Sequence, residues 1–214
     1  MTPEEVFRLL EKLNPLYRDL ALVQYYCAGR IGEIAGIQIK NINLEKESLK
    51  IKETCLWCQT NKTFLELKPF PKNRETREVY IHKELKEIIT RRLKQKHPNC
   101  DYLFHIDGKP LNYGTIQIHY RSAQRKAKLP YSGTHIFRHG MATLARQVGG
   151  GLDAVMAMTG HKTVKLAEKY SRIGNDVQKE VSLKILKRLG DVQMAHAEAE
   201  PDHQNVLAFP KSMA

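Results

Sequence analysis

The sequence predicts an α+β fold, mainly helical, with a small three-stranded antiparallel sheet set between helical segments. Three observations carry this. Apolar residues recur at helical spacing near both ends of the chain, short alternating runs occupy only the stretch from Ser48 to His82, and the composition is ordinary for a globular chain, with 42% hydrophobic and 27% charged residues. At 214 residues the chain is long enough for one substantial core.

The first helix is expected to start at Thr2, a good cap, with Pro3 in the first turn and Val6, Leu9, Leu10 and Leu13 on one face. A second runs from Pro15 through Leu20, Val23 and Cys27 into GRIGEIAGI, where Gly29 loosens the chain and leaves Arg30 at a helix junction. The runs SLKIKE, TFLELKPF and REVYIH alternate in polarity and are expected to form the three strands. Helical periodicity returns at Glu84–Lys96, Tyr113–Ala127 and Thr134–Val148, with two short helices at Asp153–Met158 and Val164–Tyr170. A last amphipathic helix, from about Asp176 to Leu189, carries Val177, Val181, Ile185 and Leu189 on one face. Gly190 is expected to end it, leaving residues 190–214 as a flexible acidic tail.

Charge narrows the partner. The chain has 35 Lys and Arg against 23 Asp and Glu, a net +12. The tail carries −3, so residues 1–189 carry +15. A polyanion is the natural complement, held largely through counterion release if it is a nucleic acid. Ribosomal or membrane-surface binding would explain the charge equally well. Apolar stretches are broken by charge well before the ~18 residues a membrane helix needs. Cys27, Cys55, Cys58 and Cys100 form no regular framework and no secretory segment opens the chain, so a reducing cytoplasm is expected. Cys55 and Cys58 make a lone CxxC with no second pair to complete a zinc site.

Two strings carry the chemistry. In THIFRHGMATLARQ, His135, Arg138 and His139 fall at i, i+3 and i+4, converging on one helical face among apolar Ile136, Phe137, Met141 and Leu144. Cationic groups held against a core call for an anion or a protein acceptor. In MTGHKTVKLAEKYSRIG, Gly160 and His161 sit in a turn, and Tyr170 follows nine residues on.

The pairing of HxxRH with a downstream GH and a tyrosine nine residues later resembles the tyrosine recombinase, or phage integrase, family. GRIGEIAGIQIKNI is similar to that family's first arginine box, with Arg30 as its arginine and Glu33 one turn on; PKNRETREVYI resembles its hairpin, with Lys72 at the catalytic lysine, counted back from Arg77. The motifs run from about residue 20 to 175 in the family's order. A departure is Thr159, where the family usually has Leu before the second GH.

The resemblance implies that Arg30, Arg138 and His161 clamp the scissile phosphate of double-stranded DNA, that Tyr170 attacks it, that His135 takes up the phenolic proton and that Lys72 protonates the leaving oxygen. His139 is secondary, as an interior hydrogen-bonding residue. The chemistry suits these residue types, since a guanidinium binds two phosphate oxygens in a fork and stays charged at any working pH. No metal or other cofactor is implied. The family further implies a homo-oligomer on DNA, a tetramer, joined through the terminal helix, whose apolar stripe is expected to be exposed. It also implies an N-terminal DNA-gripping domain that this chain does not include, so that residues 1–189 are the catalytic domain. A non-catalytic DNA-binding module and a type IB topoisomerase-like enzyme are the alternatives.

Overall fold

The computed structural model of the chain describes residues 1–69, 76–130, 132–145, 156–159 and 175–199. Helix α1 (Pro3–Leu10) is closed by a reciprocal cap, in which the Glu5 amide donates to the Thr2 hydroxyl and the Thr2 amide donates to the Glu5 carboxylate. Asn14 caps α2 (Pro15–Tyr26). Arg18 donates back to the carbonyls of Leu10 and Leu13, tying the two helices at their turn. Nine of the twelve α2 residues are buried. Such all-round burial makes α2 the central helix, with other elements packed on several sides.

A sharp break follows α2. Ala28 takes a positive φ of 46°, and the chain turns into the short helix α3 (Ile31–Ala35) with Arg30 as its cap residue. A 3-10 turn at Ile39–Asn41 then leads to the sheets. The three-stranded antiparallel sheet has the order β1 (Ile42–Asn43), β2 (Ser48–Ile51), β5 (Arg77–Tyr80), and the register pairs Leu49 with Val79 and Ile51 with Arg77. Strands β3 (Glu53–Trp57) and β4 (Phe64–Pro69) make a separate two-stranded antiparallel sheet. The three expected strands therefore divide between two sheets: SLKIKE and REVYIH pair, while TFLELKPF pairs with ETCLW. A small ribbon of β6 (His105–Ile106) and β7 (Lys109–Pro110) completes the strands among the described residues.

Helices α4 (Lys83–Lys94), α5 (Tyr113–Lys126) and α6 (Ile136–Ala145) lie within a residue or two of the expected starts. Their buried faces, with Ile88 and Ile89, Ile116 and Tyr120, and Phe137 and Met141, join α1 and α2 in one core. Residues 156–159 are helical, and the expected helix at Val164–Tyr170 lies outside the described residues.

The terminal helix α7 (Asn175–Ala199) runs through Gly190 and on to Ala199, ten residues beyond the expected end. A Cβ built at Gly190 meets nothing within 4 Å, and Val192 continues the buried stripe three residues past Leu189. The stripe is not exposed as expected. Val181, Ile185, Leu189 and Val192 are buried in the same chain, where α7 packs on α1, α6 and β5. The side chain of Val177 lies outside the described residues. Gln178 fastens this packing by accepting the Tyr80 amide at 3.0 Å, and the Lys179 ammonium sits 5.0 Å from the centre of the Tyr80 ring.

Candidate active site

The site begins where α2 ends. Glycines in GRIGEIAGI let α3 approach β3 closely: a Cβ at Gly32 would come within 2.6 Å of the Thr54 hydroxyl and 3.0 Å of the Cys55 carbonyl. Only a residue without a side chain fits this contact. Helix α3 is thereby held against the β3–β4 hairpin, and its cap residue Arg30 is left at the surface end with its side chain 26% exposed.

Glu33, one turn into α3, is 1% exposed. Its Oε1 accepts from Arg30 Nη1 at 2.8 Å, and its Oε2 accepts from the Arg30 amide at 3.0 Å and from Arg77 Nη1 at 2.9 Å. Burial pushes this carboxyl up, but the charge of Arg77 and the hydrogen bonds from Arg30 together outweigh it, so its pKa lies below the ordinary value. Glu33 is a buried anion between two arginines.

Arg138 is carried by α6. It is 4% exposed and donates from Nη1 to the Ala28 carbonyl at 2.7 Å and from Nη2 to the Thr159 carbonyl at 2.8 Å. Burial, followed by the positive charges of Arg30 and Arg77, lowers its pKa to about 10. Two guanidiniums bind the one carboxylate and a third, Arg138, lies within their electrostatic reach, a local surplus of two positive charges. Such a surplus of positive charge favours an anion nearby.

His135 immediately precedes the first residue of α6, and its carbonyl accepts the His139 amide in the first turn. Its ring lies 6.4 Å from that of His139. Partial burial and then the charges of His139, Arg138 and Arg30 hold its pKa below the ordinary value. His135 and His139 are both exposed, whereas Arg138 points inward. The sequence string therefore splits into one buried cation and two accessible imidazoles.

Two buried glutamines, which periodicity does not single out, align these pieces. Gln24 on α2 donates to the carbonyls of Gly29 at 3.3 Å and Thr134 at 2.8 Å, and accepts from the Tyr120 hydroxyl at 3.3 Å. Gln124 on α5 exchanges two hydrogen bonds with the backbone of Gly133, whose φ is 103°. Together they set the turn before His135 against the turn before Arg30. Arg77 likewise has no periodic signal; in the sequence it serves only as the residue from which Lys72 is counted.

Of the six candidate residues, the fold brings Arg30, His135 and Arg138 into one electrostatic neighbourhood. Lys72, His161 and Tyr170 lie outside the described residues. Among the described residues no group of three metal-ligating side chains occurs. Cys55 is buried, while Cys58 lies at the turn of the β3–β4 hairpin with its thiol 3.0 Å from the Thr60 hydroxyl. No helix among them is long and apolar enough to cross a membrane.

The fold is a helical domain with small sheets, and its neighbouring Arg30, Arg77 and Arg138 have the charge to suit an anion. A family model described as the phage integrase family matches residues 1–175, and the chain belongs to that family. The tyrosine recombinase XerC of Natranaerobius thermophilus is 28% identical over 176 residues, covering 77% of this chain and 54% of that protein. The tyrosine recombinase XerA of Pyrococcus horikoshii is 24% identical over 178 residues, covering 81% of this chain and 56% of that protein. Among solved structures, the Tn1549 transposon integrase in complex with transposon right end DNA is similar with a TM-score of 0.62 at 15% identity, over 87% of this chain and 65% of that one. The chain spans about half the length of the curated relatives it matches.

Proposed function

We propose that this chain cuts and rejoins double-stranded DNA at specific sites by transesterification, through a 3′-phosphotyrosine formed on Tyr170. The observation that carries this reading is that Arg30, bound to the buried Glu33, and the buried Arg138, pinned to the Ala28 and Thr159 carbonyls, lie in one positively charged neighbourhood. A phosphodiester entering that surplus of positive charge is gripped through its non-bridging oxygens, with His161 as a third donor. Charge redistributes over those oxygens as phosphorus changes partners, and each preorganised donor lowers the barrier by roughly 3 kcal/mol.

The phenol of Tyr170 has an ordinary pKa of about 10, so at neutral pH only on the order of one in a thousand is ionised. Attack on phosphorus needs a base. His135 takes the phenolic proton, and its lowered pKa keeps it neutral and ready to do so near pH 7. The bond from phosphorus to the 5′-oxygen breaks, and Lys72 gives that oxygen a proton. Rejoining runs the same steps backward, with the energy of the broken bond kept in the phosphotyrosine, so that no cofactor takes part.

Copies of the chain meet on DNA as a tetramer. The groove that α1, α6 and β5 offer to α7 recurs on every copy, so a terminal helix that leaves its own groove finds the same contacts on a neighbour. A chain ending at Gly174 that forms DNA-bound oligomers as well as the whole chain does would defeat this part of the reading.

The covalent step is tested with a nicked duplex from which the cleaved short strand diffuses away and traps the intermediate. The parent is expected to give a slower-migrating protein–DNA adduct and Tyr170→Phe none. An adduct that persists in the variant places the nucleophile elsewhere.

A further inference from the structure

A carboxylate as buried as Glu33 needs cationic partners, and how they share it decides what each has left to offer. An arginine alone with a carboxylate closes its fork over both oxygens. Here Arg30 holds Oε1 through Nη1, while Oε2 is taken by the Arg30 amide and by Arg77 Nη1. Arg77 therefore occupies the oxygen that the second prong of Arg30 would otherwise claim. It also keeps the local charge at two positive rather than one.

Arg77 has a second attachment. Its Nη2 reaches the Cys27 carbonyl at 3.4 Å, at the end of α2, and lies 3.6 Å from where a Cβ of Gly29 would sit. As the first residue of β5 it stands five residues after Lys72. One guanidinium thus joins the strand that follows the Lys72 segment to the end of α2 and the start of α3.

We propose that Arg77 is a positioning residue for strand cleavage: through Glu33 it aims the Arg30 guanidinium, and through the Cys27 carbonyl it holds the start of β5 against the end of α2. This rests on the transesterification reading above. The test is single-turnover adduct formation on the nicked duplex, followed in time over a range of DNA concentrations for the parent, Arg77→Ala, Arg77→Lys and Tyr170→Phe. The amplitude reports the fraction of competent protein, and the rate constant at saturating DNA reports how well the site is assembled.

The expected rate constant falls about 100-fold in Arg77→Ala and about tenfold in Arg77→Lys, because one ammonium neutralises Glu33 without spanning to Cys27. The DNA concentration for half-maximal rate is expected to move less than about threefold in either variant. If Arg77→Ala does not fold, the lysine variant decides. A parental rate constant in Arg77→Lys, even with a reduced amplitude, overturns the proposal and leaves Arg77 a structural ion-pair partner. A parent without adduct overturns both this and the transesterification reading, whereas an adduct in Tyr170→Phe counts against the assigned nucleophile alone.

Discussion

The side-chain amide of Gln24 donates to the Thr134 carbonyl at 2.8 Å, across 110 residues of sequence. The same nitrogen reaches the Gly29 carbonyl, so one buried group spans the turns that precede Arg30 and His135. Replacing Gln24 with Leu keeps most of the volume but leaves two carbonyls and the Tyr120 hydroxyl without this partner. The expected cost is about 1–3 kcal/mol in chemical denaturation. Adduct formation should slow as well, since the two turns are then free to shift.

Acid stability follows from Glu33. A carboxyl whose pKa is held down in the fold contributes stability that is full above its ordinary value of 4.5 and is lost as pH falls through the lower folded value. The melting temperature of the parent should therefore decline on acidification below 4.5. Glu33→Gln should lack this component and lose about 3 kcal/mol at pH 7, with Arg30 and Arg77 left facing a neutral amide.

His135 is shifted in the same downward direction, and its effect is read in rate. Its imidazole is held below the ordinary value of 6.5, so the neutral form that accepts a proton persists to a pH under 6.5. Single-turnover cleavage should stay level down through 6.5 and fall only below it. In His135→Gln the rate should drop on the order of 100-fold, and this acid limb should disappear.

Ile185 is 1% exposed in the groove formed by its own chain. Ile185→Ala should cost about 2–5 kcal/mol in denaturation of the DNA-free protein. A near-neutral effect would mean that α7 spends its time outside the groove in the absence of DNA.

How much of this was legible in the sequence depends on the range of the interaction. The helices were, because apolar spacing is a local signal; α1, α2 and α5 begin where Thr2, Pro15 and Tyr113 indicate. The division of strands was not, because TFLELKPF alternates as well as its neighbours and nothing local says that it pairs with ETCLW. Gly190 misleads, since a glycine inside a helix costs only about 1 kcal/mol and Val192, beyond it, is buried. In the site, Arg30 and Arg138 stood out through motif spacing. Gln24, Gln124 and Arg77 did not, because each acts on the backbone or carboxylate of a distant segment and leaves no periodic trace.

Arg138 is buried and pinned by the carbonyls of Ala28 and Thr159, from two separate segments. The cost of gathering positive charge is met when the chain folds, and a bound phosphodiester relieves it. Occupancy and durability are then linked: any anion that fits raises the melting temperature in proportion to RT ln(1 + [L]/Kd). Under the proposed function, a molecule engaged with DNA should outlast a free one against heat and proteolysis, so the target would act as a preservative of the protein.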